Sequence, residues 1–127
     1  LEKNPVFLYM MDTFQKPLPF QPDLVLDVDG AMDVKWAMLD AMASQMYEWL
    51  PWLERLPGTV PETPEARLEY LRGFAGPYFR QFADRARAQL TLKYGARAKA
   101  IEYAELFEIC EYGSPPDESF IAELFPK

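Results

Sequence analysis

The side chains best placed to do chemistry lie in and before "DAMASQMYEWLPW", residues 40–52. At roughly 100° per residue, Asp33, Asp40, Ser44 and Glu48 fall in a stripe about 80° wide. The rest of that surface is apolar: Ala31, Met32, Val34, Trp36, Met38, Leu39, Met42, Met46 and Trp49. A polar stripe this narrow predicts a helix covered on most sides. Lys35 and Gln45 fall well off it, toward Met42. A buried amide needs hydrogen-bond partners, and a buried ammonium needs charge or carbonyls. Either Lys35 snorkels and Gln45 bonds a neighbouring backbone, or both line a cleft where a ligand, domain or second chain arrives. Tyr47, Trp49 and Trp52 could stack on a sugar ring, but aromatics at helical spacing around Pro51 are expected in the core.

Composition narrows the chemistry further. Histidine is absent, which removes the commonest general base and the commonest metal ligand together. Cys110, the single cysteine, excludes an internal disulfide framework and fits a reducing, cytoplasmic setting. Glu108 and Glu111 beside it would raise its thiol pKa, so a nucleophilic role is not expected. A net charge of −7 argues against a nucleic-acid partner. Residues 67–99 nevertheless carry eight Lys or Arg against Glu69 and Asp84, a local +6. This predicts a solvated helix face paired with acidic neighbours.

At 127 residues the chain is read as one domain with a real core, or as the C-terminal fragment of a larger one. No apolar run is long enough for a membrane span, and "LEKNPVFLYM" does not read as a signal peptide. The start at Leu1 instead of Met reads as a piece of a longer polypeptide.

The elements that must position these residues follow from the pattern. "PVFLYMM" (5–11) and "LVLDV" (24–28) read as buried strands, joined by the proline-rich 16–23. A helix is expected from Asp29 or Gly30 to about Leu50. Asp29 would be its N-cap, Asp33 would face its dipole, and Pro51 would end or kink it. Thr63-Pro64 should open a second helix as N-cap and first-turn proline, bent at Gly76-Pro77 and closed by Gly95. Residues 100–113 fit helix or strand equally, and 114–125 should form a capped terminal helix.

"PDLVLDVDGAMDVKWAMLDAMASQ" resembles the C-terminal portion of the PIG-L/LmbE-like deacetylases. Pro22, Asp23, Lys35, Ser44 and Gln45 stand where that family has Pro-Asp, a lysine and Ser-Gln. "YGARAKAIEYAELFEICEYG" is similar to the family tail, through Tyr103, Ala104, Glu105 and Phe107. The resemblance implies a zinc-dependent enzyme that removes acetyl groups from N-acetylglucosamine-type sugars. It implies a Rossmann-like α/β fold of which this chain is the C-terminal part. It also marks Lys35, Ser44, Gln45, Tyr103 and Glu105 as substrate-side candidates. The family's His-Pro-Asp-Asp-Glu and His-x-x-His metal motifs do not occur here, and Met42 replaces the histidine before Ser-Gln. A thioether cannot shuttle protons as imidazole does. This chain alone is therefore expected to bind no zinc and hydrolyse nothing.

"LVLDVDGAMD" also resembles the first motif of haloacid-dehalogenase-type phosphatases, which would make Asp27 a nucleophile and Asp29 a general acid. Ala31 departs from that motif, and the simpler expectation is that the two aspartates end a strand and cap a helix. The fold class expected is α+β, mainly helical with a small β component. The function expected is the substrate-side part of a sugar N-deacetylase, inactive alone and open to a sugar ligand. The alternative is a non-catalytic helical module for interaction or oligomerisation. As a fragment it should meet a missing N-terminal catalytic part. Without one it should self-associate through the opening helix and unpaired strand edges, with Met42 and Gln45 near the contact.

Overall fold

The computed structural model describes residues 4–125. Three strands, β1 (Val6–Met10), β2 (Leu24–Asp27) and β3 (Ala104–Gly113), form one antiparallel sheet in the order β1-β3-β2. Leu8 pairs with Ile109 on one side of β3, and Val25 pairs with Leu106 on the other. The ambiguous stretch 100–113 is thus resolved as the central strand from Ala104 onward. Its alternation puts Ala104, Leu106 and Cys110 into the interior, as one buried face requires.

Helices α1 (Met32–Ala41), α2 (Leu50–Leu53), α3 (Pro64–Arg85), α4 (Arg87–Tyr94) and α5 (Glu118–Leu124) complete the fold. It is α+β, with more helix than strand. The expected opening helix is divided into pieces. Asp29–Ala31 is a tight 3-10 turn, α1 stops before Met42 (φ −87°, ψ 56°), and Ser44–Trp49 forms a wide π-type turn. Pro51 accounts for the widening. It has no N–H to offer the Tyr47 carbonyl, and its ring would crowd that carbonyl in a regular helix. The Leu50 N–H accordingly reaches back five residues to the Gln45 carbonyl. Pro51 itself sits in the first turn of α2, so the helical path runs on to Leu53.

Asp29 does not cap the opening helix. Its carboxylate accepts from the backbone N–H groups of Glu102 and Tyr103, the nearest contact being 2.7 Å. Two donors on the chain entering β3 outcompete the helix terminus for it. Thr63 does cap α3, accepting from Ala66 N, with Pro64 in the first turn. Asp117 caps α5 through Phe120 N, and the Ser119 hydroxyl, then this bond, hold its carboxyl below the usual range. The second helix continues through Pro77 and breaks instead at Ala86 (φ −100°, ψ 20°), ahead of α4. Gly95 then ends α4 at φ 61°, a conformation that favours glycine.

Two apolar clusters share α3. One joins Val25, Ala104 and Leu106 of the sheet to Phe82, Ala86 and Leu90. The other joins Met32, Trp36, Met46 and Tyr47 to Leu71 and Ala75. Phe79 packs against both. The basic 67–99 segment forms ion pairs with acids as its charge pattern predicts: Arg72–Asp33, Arg80–Glu102, Arg87–Asp84 and Arg97–Asp27.

"PVFLYMM" and "LVLDV", expected to have unpaired edges, are each paired to β3 along one edge. The outer edge of β2 is also occupied. Lys93 Nζ donates to the Val25 carbonyl at 3.0 Å, and Asp27 N donates to Tyr94 Oη at 3.2 Å. Side chains bonded to an edge remove it as a template for another strand. Among the described residues, no helix is long and apolar enough to cross a membrane.

Candidate functional site

The residues that the sequence singles out separate into two places. Lys35, Tyr103 and Glu105 form one. Lys35 leaves the first half of α1 and its Nζ meets Glu105 Oε1 on β3 at 2.9 Å. The ammonium also lies 4.4 Å from the centre of the Phe79 ring. Tyr103 and Trp36 meet edge to face, with centroids 6.4 Å apart, and the Arg80 guanidinium lies 5.4 Å from the centre of the Tyr103 ring. These side chains tie α1, α3 and β3 together. Lys35 is partly buried and bound to a carboxylate, so charge pairing, rather than snorkelling to water, holds it.

Ser44 and Gln45 form the second place, beyond the end of α1. The break before Met42 and the wide turn after it swing both outward, and Gln45 is exposed, not buried as its position off the polar stripe predicts. With Glu48, Trp49 and Trp52 they form a shallow face that lies open to solvent. Gln45, Glu48, Trp49 and Trp52 follow one another at spacings of three, one and three, the spacing of a single helical face.

The aromatic cluster expected in the core divides in the same way. Tyr47 is 7% exposed, whereas Trp49 is 50% and Trp52 75% exposed. Tyr47 Oη donates to Asp40 Oδ1 at 2.5 Å, and the Arg67 guanidinium stacks 4.0 Å over its ring. Burial, then the Asp40 carboxylate, push its phenol up to about 12. Helical spacing shows which residues share a face, but it does not show that another element covers that face. No sequence signal separated Trp52 from Tyr47.

The opening helix is likewise not covered on most sides. Met32 and Trp36 are buried one turn apart, while Val34, Met38 and Met42 are exposed at successive turns of the opposite face. Asp27 and Asp29 are both engaged: Asp27 accepts from Asp29 N and pairs with Arg97, and Asp29 holds the entry to β3. Asp23 Oδ2 accepts from Ile109 N at 2.7 Å, fixing the far end of β3 to β2.

The zinc implied by the deacetylase resemblance finds no fitting donor set. The sequence has no histidine, and among the described residues no three His, Cys, Asp or Glu side chains gather to hold a metal ion. What this face can supply is a hydroxyl, an amide, a carboxylate and two indole faces. That set offers no activated nucleophile. No protein-family model, no curated protein and no solved structure matches the chain.

Proposed function

We propose that this chain is the substrate-side part of a PIG-L/LmbE-like sugar N-deacetylase, with the catalytic metal carried on a missing N-terminal part in a Rossmann-like arrangement. One observation carries the reading. Ser44 and Gln45, the Ser-Gln pair of the resemblance, stand exposed together on one open helical face beside Glu48, Trp49 and Trp52. On this reading the Gln45 amide and Ser44 hydroxyl hold the N-acetyl and hydroxyl groups of a hexosamine. Lys35, Tyr103 and Glu105 act as positioning residues that set α1 against β3. A reducing, cytoplasmic setting belongs to the same reading.

The test is selectivity for the acetyl group. Backbone amide NMR shifts should move at Ser44 and Gln45 with N-acetylglucosamine and much less with glucose. Equal responses to the two sugars would remove the deacetylase reading.

A second reading is favoured by the exposed row of Val34, Met38 and Met42. An apolar stripe of this kind marks an association surface, and it supports a helical module that pairs with a second copy. Sedimentation equilibrium would then show a dimer. A folded monomer at roughly a hundred micromolar, far above the concentrations at which stable interfaces form, would exclude it.

A further inference from the structure

We infer that the outer edge of β1 docks a second copy of this chain, whose own β1 adds antiparallel and joins two three-stranded sheets into one. This contact needs neither reading above, and it uses a different surface from the row of Val34, Met38 and Met42.

The hydrogen-bond phase of β1 carries it. Met11 N donates to Leu106 O at 3.2 Å, and Pro5 O accepts from Ser114 N at 3.0 Å. The odd-numbered residues of the strand therefore face β3. In an antiparallel pair the residues between them turn their N–H and C=O groups the other way. Leu8 and Met10 stand opposite Ile109 and Phe107, whose own groups go to the β2 side. There Ile109 N donates to Asp23 Oδ2, and Phe107 O accepts from Asp23 N. The register shift between Val6 and Leu8 leaves the phase of β1 unchanged, since Pro5 and Met11 both face β3. Val6, Leu8 and Met10 thus point their backbone groups away from the sheet. Among the described residues, none of these groups has a partner.

The opposite edge of the sheet is closed. There Lys93 Nζ meets the Val25 carbonyl, and Tyr94 Oη meets the Asp27 N–H. Other edges are blunted by charge, or by a proline whose missing N–H faces outward. β1 has neither. Its five residues are VFLYM, and Pro5 faces β3, so no donor is lost from the open side. Phe7, Tyr9 and Met10 are half or more exposed along it, with Tyr112 exposed on the neighbouring strand.

The occupant follows from register and charge. A strand docking here must offer apolar residues on both faces and no acid against Asp12. This chain carries such a strand, and two-fold symmetry fixes how it meets itself. With the axis at Leu8, Leu8 meets the partner's Leu8 and Val6 meets the partner's Met10. Phe7 then falls opposite the partner's Tyr9, an aromatic cross-strand pair. Asp12, the first charge after the strand, falls opposite the partner's Asn4, whose amide can donate to it. No like charges meet along the seam, although each copy carries −7. An axis at Val6 would set Leu8 against the partner's Asn4, and one at Met10 would set it against the partner's Asp12.

Sedimentation equilibrium of the intact chain at about 100 µM should show a dimer. Leu8→Cys should link two copies by a disulfide under mild oxidation, because directly opposed residues of this phase lie about 5.5 Å apart at Cα. The wild type, whose single cysteine is buried, should not cross-link. Met10→Pro removes an outward N–H and no bond to β3, so it should weaken the dimer tenfold or more with unchanged circular dichroism. Should that variant misfold, Met10→Lys brings the same loss by the charge that blunts natural edges. A monomer at that concentration overturns the inference, as does a dimer indifferent to Met10→Lys. A dimer lost with Met38→Asp but kept with Met10→Lys also overturns it, and moves the contact to the exposed row of α1. None of these substitutions lies on the Ser44–Trp52 face, so the acetyl-selectivity test stands or falls separately.

Discussion

The two places to which the candidate residues go behave oppositely, although one resemblance supplied both. Around Lys35, Tyr103 and Glu105, charges and rings are met from within the chain: ammonium by carboxylate, ring edge by ring face, guanidinium over phenol. Around Ser44 and Gln45, polar and aromatic groups face solvent together. A set of side chains that satisfies itself stabilises a fold. A convergent set left open to water is available for a ligand. Residue type alone does not distinguish the two cases; the break at Met42 and the wide turn before Pro51 do.

The sharpest way to break this contrast is to compare two tryptophans. Trp36 is 5% exposed and packs edge-on against Phe79 and Tyr103. Trp36→Ala should lower unfolding free energy by about 3–5 kcal/mol, the usual loss for a large buried aromatic. Trp52→Ala should change it by less than about 0.5 kcal/mol. Denaturant melts with a shared m-value decide the matter. Similar losses for both would mean that Trp52 belongs to the core and that the Ser44–Trp52 face is not open to solvent.

Much of the scaffold was legible in the sequence because its signals are local. Thr63-Pro64 marks a helix start by bond chemistry, Gly95 marks an end by its positive φ, and two apolar runs between prolines mark strands. What stayed illegible depends on partners distant in sequence. "AELFEIC" fits helix or strand until two flanking strands pair with it. Asp29 reads as a cap until the chain at Glu102 competes for its carboxylate. Within the site, Lys35 and Gln45 were visible as polar residues off the solvent stripe, and Ser44 as part of it. Their separation was not, because periodicity assumes an unbroken helix and this one changes its winding twice.

A middle-sized effect lies at the seam between the two places. Tyr47 belongs to the buried cluster but follows Gln45 by only two residues, and its phenol is pushed up to about 12 by burial and by Asp40. The folded state therefore holds this proton more tightly than the unfolded chain, whose tyrosine titrates near about 10. The associated stability is fully present below pH ~10 and is lost as pH rises toward ~12. The loss should be on the order of 2 kcal/mol. Tyr47→Phe should flatten that alkaline decline relative to wild type. Parallel curves for the two proteins between these pH values would show that the ring is not held as described.

The smallest effect tests whether Lys35 and Glu105 are only structural. Their side chains are 24% and 30% exposed, between the exposed pairs that contribute almost nothing and the buried pairs whose rupture is severe. Glu105→Gln leaves the Lys35 ammonium against Phe79 without its carboxylate, and should cost about 1 kcal/mol. Lys35→Met should cost about as much, by leaving Glu105 unpaired. The double variant should recover most of the loss, because removing both charges also removes the desolvation that they share. A double-mutant cycle of urea melts measures the coupling directly. None of the three variants should alter sugar binding at the Ser44–Trp52 face, since neither Lys35 nor Glu105 lines it. Additive losses would show that the 2.9 Å contact contributes nothing in solution. Unchanged stability with altered sugar affinity would join the two places into one site and dissolve the distinction between them.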